Sequence, residues 1–187
     1  FRELCAFRGF SPQREPYAVL HPSASCPSKV WPPERFAELA DALWRRYGFR
    51  TVLIGQDAER SLRVKDLMKT DAVDLTGELS LSMLASCLKA ARVLVSNDSG
   101  PCHVAAACGT PVLAIFGRNQ AGLSPVRWRP LGEKSRYVQR DVGCFACLAH
   151  ACKIRFLCLE VLSACDVLDA LVPMEPFFAG AGAVGRD

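Results

Sequence analysis

The chain has 187 residues, half of them hydrophobic and 22% charged, and a net charge of +4. That is enough chain for one domain with a real core, in the balance usual for a soluble globular protein. No apolar run is long enough to span a bilayer, no secretory signal is visible, and no interleaving of aromatic and basic residues points to nucleic acid.

Residues 1–16 are basic and turn-rich; with Phe1 leading, they read as a linker or the remnant of a preceding domain in a longer protein. Residues 17–21 form a short strand, and 22–32 a loop rich in Pro and Ser. Phe36, Leu39, Ala40, Leu43 and Tyr47 recur at helical spacing, so 33–47 is an amphipathic helix that Gly48 ends. A strand follows at 50–54, with Gly55 opening a turn, then a helix at 58–68 and a strand at 72–75. Residues 81–90 make a third helix, 93–96 a strand, 101–108 a helix stopped by Gly109, and 111–116 an apolar strand. A last short strand at 136–139 and a closing helix at 165–172 complete the domain. The expected division is thus 1–16 linker, 17–172 Rossmann-like domain with a Cys-rich segment at 144–158, and 173–187 flexible tail.

Strands alternate with helices, and several strands are apolar throughout, so both faces are covered. The pattern predicts an α/β fold with a doubly wound parallel sheet. Ligands of such sheets bind outside the carboxyl ends of the strands. Three loops bring chemistry there. The first carries Ser23, Ser25 and Lys29, hydroxyls and a point charge suited to phosphate oxygens. The second brings Glu59, whose carboxylate suits a hydroxyl pair. The third, after the 93–96 strand, reads Asn97-Asp98-Ser99-Gly100-Pro101-Cys102-His103 and runs into a helix. Ser99 or Gly100 caps that helix, Pro101 suits its first position, and its free N–H groups and dipole favour an anion. Taken singly, Lys29 also reads as a solvated lysine, Glu59 as a first-turn helix acid, and His103 as a satisfied histidine.

These stretches resemble glycosyltransferase family 9, the heptosyltransferases of the lipopolysaccharide inner core. The resemblance rests on Lys29 to Phe36 with Leu39-Ala40, on Val52 to Gly55 with Glu59, on Leu75 to Leu81, and on Ser96 to Ala107 with Gly109 to Val112. It covers roughly residues 17–171, and its most specific block is 96–107. It implies the C-terminal, donor-binding half of a two-domain GT-B enzyme of bacteria. The donor would be an ADP-sugar, ADP-heptose by default, and the acceptor a lipopolysaccharide core reached through the other half. By resemblance Lys29 contacts the donor phosphates or sugar, and Glu59 the ribose. Ser99 and Gly100 bind the diphosphate, Asp98 and His103 the sugar or phosphate, and Ser23 and Ser25 lie in the phosphate loop. The family often has Gly where Ser23 stands, a departure in this chain. The family's reaction is an inverting displacement without a required cofactor, and its carboxylate base lies in the N-terminal domain. No catalytic residue is therefore expected in these residues, and the chain alone is expected to bind donor without transferring sugar. The expected location is cytoplasmic, or peripheral to the inner membrane.

Two features stand outside that scheme. Arg118, Arg127, Arg129, Lys134, Arg136 and Arg140 form a basic stretch, suited to phosphates or an anionic membrane surface, or else a solvated loop. Of ten cysteines, Cys144, Cys147, Cys152 and Cys158 are clustered as C-x2-C-x4-C-x5-C. Four thiolates could hold structural zinc or an iron–sulfur cluster; free thiols and disulfides are the other readings. A dinucleotide oxidoreductase fits the fold, but no G-x-G-x-x-G follows a strand. A non-catalytic nucleotide- or metal-binding module remains the alternative class.

Overall fold

The computed structural model describes residues 1–144 and 147–180. Six strands, β1 (Tyr17–His21), β2 (Arg50–Leu53), β3 (Ala72–Asp74), β4 (Val93–Asn97), β5 (Val112–Phe116) and β6 (Ser135–Gln139), form one sheet in the order β3-β2-β1-β4-β5-β6. Every pairing is parallel. The helices are α1 (Arg2–Phe7), α2 (Pro33–Tyr47), α3 (Ala58–Leu67), α4 (Leu81–Ala90), α5 (Gly100–Ala107), α6 (Pro125–Trp128), α7 (Leu157–Glu160) and α8 (Ala164–Leu171).

Strand periodicity divides the core in two. Ala18, Leu20, Val93, Val95, Leu113 and Ile115 pack under α2, α3, α7 and α8, while Tyr17, Val19, Leu94, Val112 and Ala114 pack under α1, α4 and α5. Successive side chains of a strand point to opposite faces, so strands apolar throughout require exactly this double covering. Turn chemistry sets the boundaries. Gly48 ends α2 in the left-handed conformation at φ +67°, Asp57 and Ser80 cap α3 and α4, and Ser163 with Asp166 forms a capping box on α8. Asp41, buried on α2, accepts the Lys69 and Thr70 N–H groups and so ties the turn before β3 to the helix layer.

The two ends of the chain differ from the sequence expectation. Residues 1–16 are not a loose linker: α1 buries Cys5, and Phe10 meets Tyr17 edge-on at 5.1 Å. The flexible tail expected from 173 is, up to Gly180, a 3-10 helix (Val172–Gly180). Met174 and Phe178 are buried in it, and Phe178 packs edge-on against Tyr47 and Phe49. Aromatic burial outweighed the Gly/Ala composition from which the tail was predicted. Residues 181–187 lie outside the described residues.

Candidate functional site

The strand order reverses between β1 and β4, which makes their carboxyl ends the switch point where doubly wound sheets bind ligands. Asn97 builds the crevice there. Its amide accepts from Trp31 N–H at 3.1 Å and donates to the Pro22 carbonyl at 2.7 Å, fastening both ends of the 22–31 loop to β4. Trp31 is in turn buried, donating its Nε1–H to Leu162 and meeting Phe36 edge-on. The loop is thereby held with Lys29 beside the Asp98 turn.

Asp98 is buried and accepts two cations on one oxygen, Arg118 Nη2 at 2.7 Å and Lys29 Nζ at 3.2 Å. Two cations on one carboxylate leave a surplus positive charge, and Arg118 Nε is buried with no partner. Ser99 stands at the N-cap of α5, but its side chain caps no N–H. Its hydroxyl instead lies 3.0 Å from His21 Nδ1 and 3.2 Å from Ser96 Oγ. Ser99 is thus the N-cap residue, as the sequence suggests, while the His21–Ser96–Ser99 cluster holds its hydroxyl. Gly100 is exposed on the first turn with open space above its Cα, and His103 is exposed there too, its ring without a hydrogen bond among the described residues.

Ser23 is buried and its Oγ has no partner, an unused hydroxyl in the loop after β1. Ser25, on the same loop, is exposed. Glu59 is exposed in the first turn of α3, beside a shallow cleft of about 340 Å³ lined by Pro33, Glu34, Asp57, Arg60 and Arg63. The structure thus gathers Lys29, Asp98, Ser99 and Gly100 at the switch point. Glu59 is on the first turn of α3, beyond β2, and is not among them.

Three residues of this edge escaped the sequence reading. Asn97 reads there as the first residue of the polar loop after the 93–96 strand, His21 as a strand end, and Arg118 as one member of a basic stretch. That stretch is not one face: Arg118 is buried, Arg140 pairs with Asp166, and Arg136 donates to backbone carbonyls. His21 is held neutral, because burial pulls its imidazole down to about 4. A histidine whose folded value lies below its unfolded value near 6.5 adds stability above that value, which is lost as pH falls towards 4. The unfolding free energy read from urea titrations is expected to fall between pH 7 and pH 4 by an amount on the order of 3 kcal/mol from this group. His21→Gln should flatten that slope, and an unchanged slope would refute the assignment.

Next to Arg118 lies a cavity of about 210 Å³ whose wall includes all four clustered cysteines. None of them is in a disulfide. Burial pushes the Cys158 thiol up, with Cys152, Cys147 and Cys144 adding to the shift.

Anion-ready edges at the switch point of a 3-2-1-4-5-6 sheet are characteristic of nucleotide-binding α/β proteins. Within that class the chain belongs to glycosyltransferase family 9 (heptosyltransferase), whose profile matches residues 2–157. It is 32% identical over 123 residues to lipopolysaccharide heptosyltransferase 2 of Escherichia coli (strain K12), covering 63% of this chain and 34% of that protein. Its fold matches the structure of E. coli ADP-heptose lps heptosyltransferase II with a TM-score of 0.73 at 27% identity, over 93% of this chain and 51% of that one. The glycosyl transferase family 9 structure from Veillonella parvula DSM 2008 gives 0.74 at 25% identity, over 94% and 49%. The chain spans about a third of the curated relative's length and about half of each solved structure.

Proposed function

We propose that this chain is the C-terminal, donor-binding half of an inverting heptosyltransferase that uses ADP-heptose to extend a lipopolysaccharide core. The observation that carries this is the Lys29–Asp98–Arg118 trio beside the N-terminus of α5, at the switch point. Charge develops on the departing diphosphate in the transition state, and preorganised cations and helix N–H groups aimed there stabilise it most. Lys29 and the Ser99-Gly100 turn hold the diphosphate. Ser23 and Ser25 supply hydroxyls, and His103 faces the sugar. Glu59 takes the ribose from the first turn of α3, the helix that follows β2 on this edge. Asp98, with both cations on one oxygen, acts by aiming them. The carboxylate base and acceptor contacts are assigned to the other half of the enzyme, so this chain alone binds donor without transferring sugar. The chemistry assigned to these residues calls on no cofactor. No helix among the described residues is long and apolar enough to cross a membrane. By its family, the assembled enzyme would work in the cytoplasm or at the inner-membrane periphery.

Calorimetric titration tests this. ADP is expected to bind, UDP and NAD to bind more weakly, and Lys29→Ala to weaken ADP by about tenfold or more, the value of one charge-assisted contact. A folded chain that binds no ADP, or a Lys29→Ala variant that binds it unchanged, would overturn the assignment. The first of those results would favour a non-catalytic module.

A further inference from the structure

The register of the sheet sets His21 of β1 beside Ser96 of β4, so their side chains share one face at the switch point. Both residues are buried. Ser99, at the N-cap of α5, brings a second hydroxyl to the same ring and is itself only half-buried. Four contacts join these polar atoms. Ser96 Oγ lies 2.7 Å from the Asn97 carbonyl and 3.1 Å from His21 Nδ1. Ser99 Oγ lies 3.0 Å from His21 Nδ1 and 3.2 Å from Ser96 Oγ. A carbonyl only accepts, so the first contact uses the one Ser96 hydroxyl proton. Burial pulls the His21 imidazole down to about 4, so at neutral pH the ring carries one N–H. With that proton on Nε2, the three remaining contacts would share the Ser99 proton alone, and two of them would set lone pair against lone pair. With it on Nδ1 every contact has a donor: Nδ1–H bridges the two hydroxyl oxygens, and Ser99 O–H turns to Ser96 Oγ.

We propose that His21 is a positioning residue for the donor diphosphate: as the Nδ1–H tautomer it donates to Ser99 Oγ and leaves the Ser99 hydroxyl proton to a phosphate oxygen. The assignment rests on the reading of the Ser99-Gly100 turn as the diphosphate site. A serine hydroxyl both donates and accepts, but only its donor sense attracts an anion. A Ser99 that gave its proton to an accepting Nδ1 would turn lone pairs towards the phosphate. A donating Nδ1–H fills one of those lone pairs and polarises the O–H bond outward. The bond that Ser99 gives up on binding, to Ser96 Oγ, is the longest of the four at 3.2 Å. The Ser99 side chain caps no α5 N–H, so the first-turn amides stay available to the same anion. His21 thus acts through Ser99, from beneath the site.

Imidazole nitrogen NMR on the full chain of 187 residues reads the tautomer directly, and three histidines keep the spectrum assignable. At neutral pH His21 should carry its proton on Nδ1, with and without ADP. Calorimetric titration with ADP supplies the second readout. Ser99→Ala should weaken ADP about tenfold, the loss of one charge-assisted bond. His21→Leu, which removes the ring N–H, should weaken it by about three- to tenfold. His21→Asn sets an amide N–H near the Nδ1 position and should stay within about twofold of the unmodified chain. On a Ser99→Ala background His21→Leu should cost nothing further, because its effect passes through that hydroxyl. An undiminished second loss there would mark a merely structural histidine and overturn the inference. Because a His21 variant can also fail to fold, the spectrum of the unmodified chain decides by itself. A chain that binds ADP with the His21 proton on Nε2 overturns this inference and leaves the donor-site reading intact. A folded chain that binds no ADP overturns that reading, and this inference with it.

Discussion

Asp98→Ala should destabilise the protein by about 3–5 kcal/mol, the usual cost of removing one partner from a buried ion pair. Asp98 and Arg118 are both nearly inaccessible, and Arg118 Nε already lacks a partner. Without the carboxylate, a guanidinium is left buried and uncompensated. Asp98→Asn should cost less, since the amide oxygen still accepts a hydrogen bond. The double variant Asp98→Ala with Arg118→Met should recover much of the loss, because only Lys29, whose side chain keeps some access to solvent, is then left without its partner. Urea denaturation at neutral pH measures all three. A loss under about 1 kcal/mol in the single alanine variant, the range of an exposed pair, would show that Arg118 is not held as described. The same variant separates two views of the donor site. If Asp98 merely contributed negative field, its removal would tighten binding of an anionic diphosphate. If it aims Lys29 and Arg118, removal should weaken ADP binding despite the gain in net positive charge. The second sign is expected, since both cations converge on a single Asp98 oxygen.

The same trio shows how far sequence reasoning reaches. Strands apolar at every position imply a sheet covered on both faces, and from that the carboxyl edge and its loops follow. Lys29, Asp98 and Ser99 could therefore be placed on one edge before any coordinates. What joins them could not. Arg118 sits among other basic residues in a stretch with little regular structure, and nothing local distinguishes a buried, paired arginine from a solvated one. Its partner lies on a different βα loop, so the pairing is a product of sheet order. Asn97 is hidden for a related reason: its two hydrogen bonds reach back to Pro22 and Trp31, and its position on the chain marks it only as the first residue of a polar turn. Ser99 stands at the N-cap where the sequence places it, but the His21–Ser96 pair across two strands, which claims its hydroxyl, is again a product of sheet order. The chain ends were missed because composition measured their Gly, Ala and basic content, whereas a few aromatics, Phe10 and Phe178, decided their packing.

Gly55 and Ser23 form the second pair whose coupling should be large. Gly55 follows β2 at φ +146°, a conformation that residues with side chains rarely adopt, and a Cβ built there would lie 2.3 Å from Ser23 Oγ and 3.2 Å from Ser23 Cβ. Gly55→Ala therefore carries two costs, about 1–3 kcal/mol of backbone strain and a comparable term for overpacking, together about 4 kcal/mol. Ser23→Gly by itself removes a buried hydroxyl that has no partner, and should change stability by less than about 1 kcal/mol. Combining the two removes both close contacts and leaves only the strain, so the double variant should be more stable than Gly55→Ala alone by about 1–3 kcal/mol. That non-additivity, read from thermal or urea unfolding of the four proteins, reports directly on whether Ser23 is pressed against the β2 turn. Additive effects would mean that the loop after β1 moves away freely, and the unused Ser23 hydroxyl would then have no fixed position from which to meet a phosphate. With coupling present, ADP affinity should fall in Gly55→Ala even at temperatures where the variant is fully folded, because the inserted methyl displaces the hydroxyl from the donor edge.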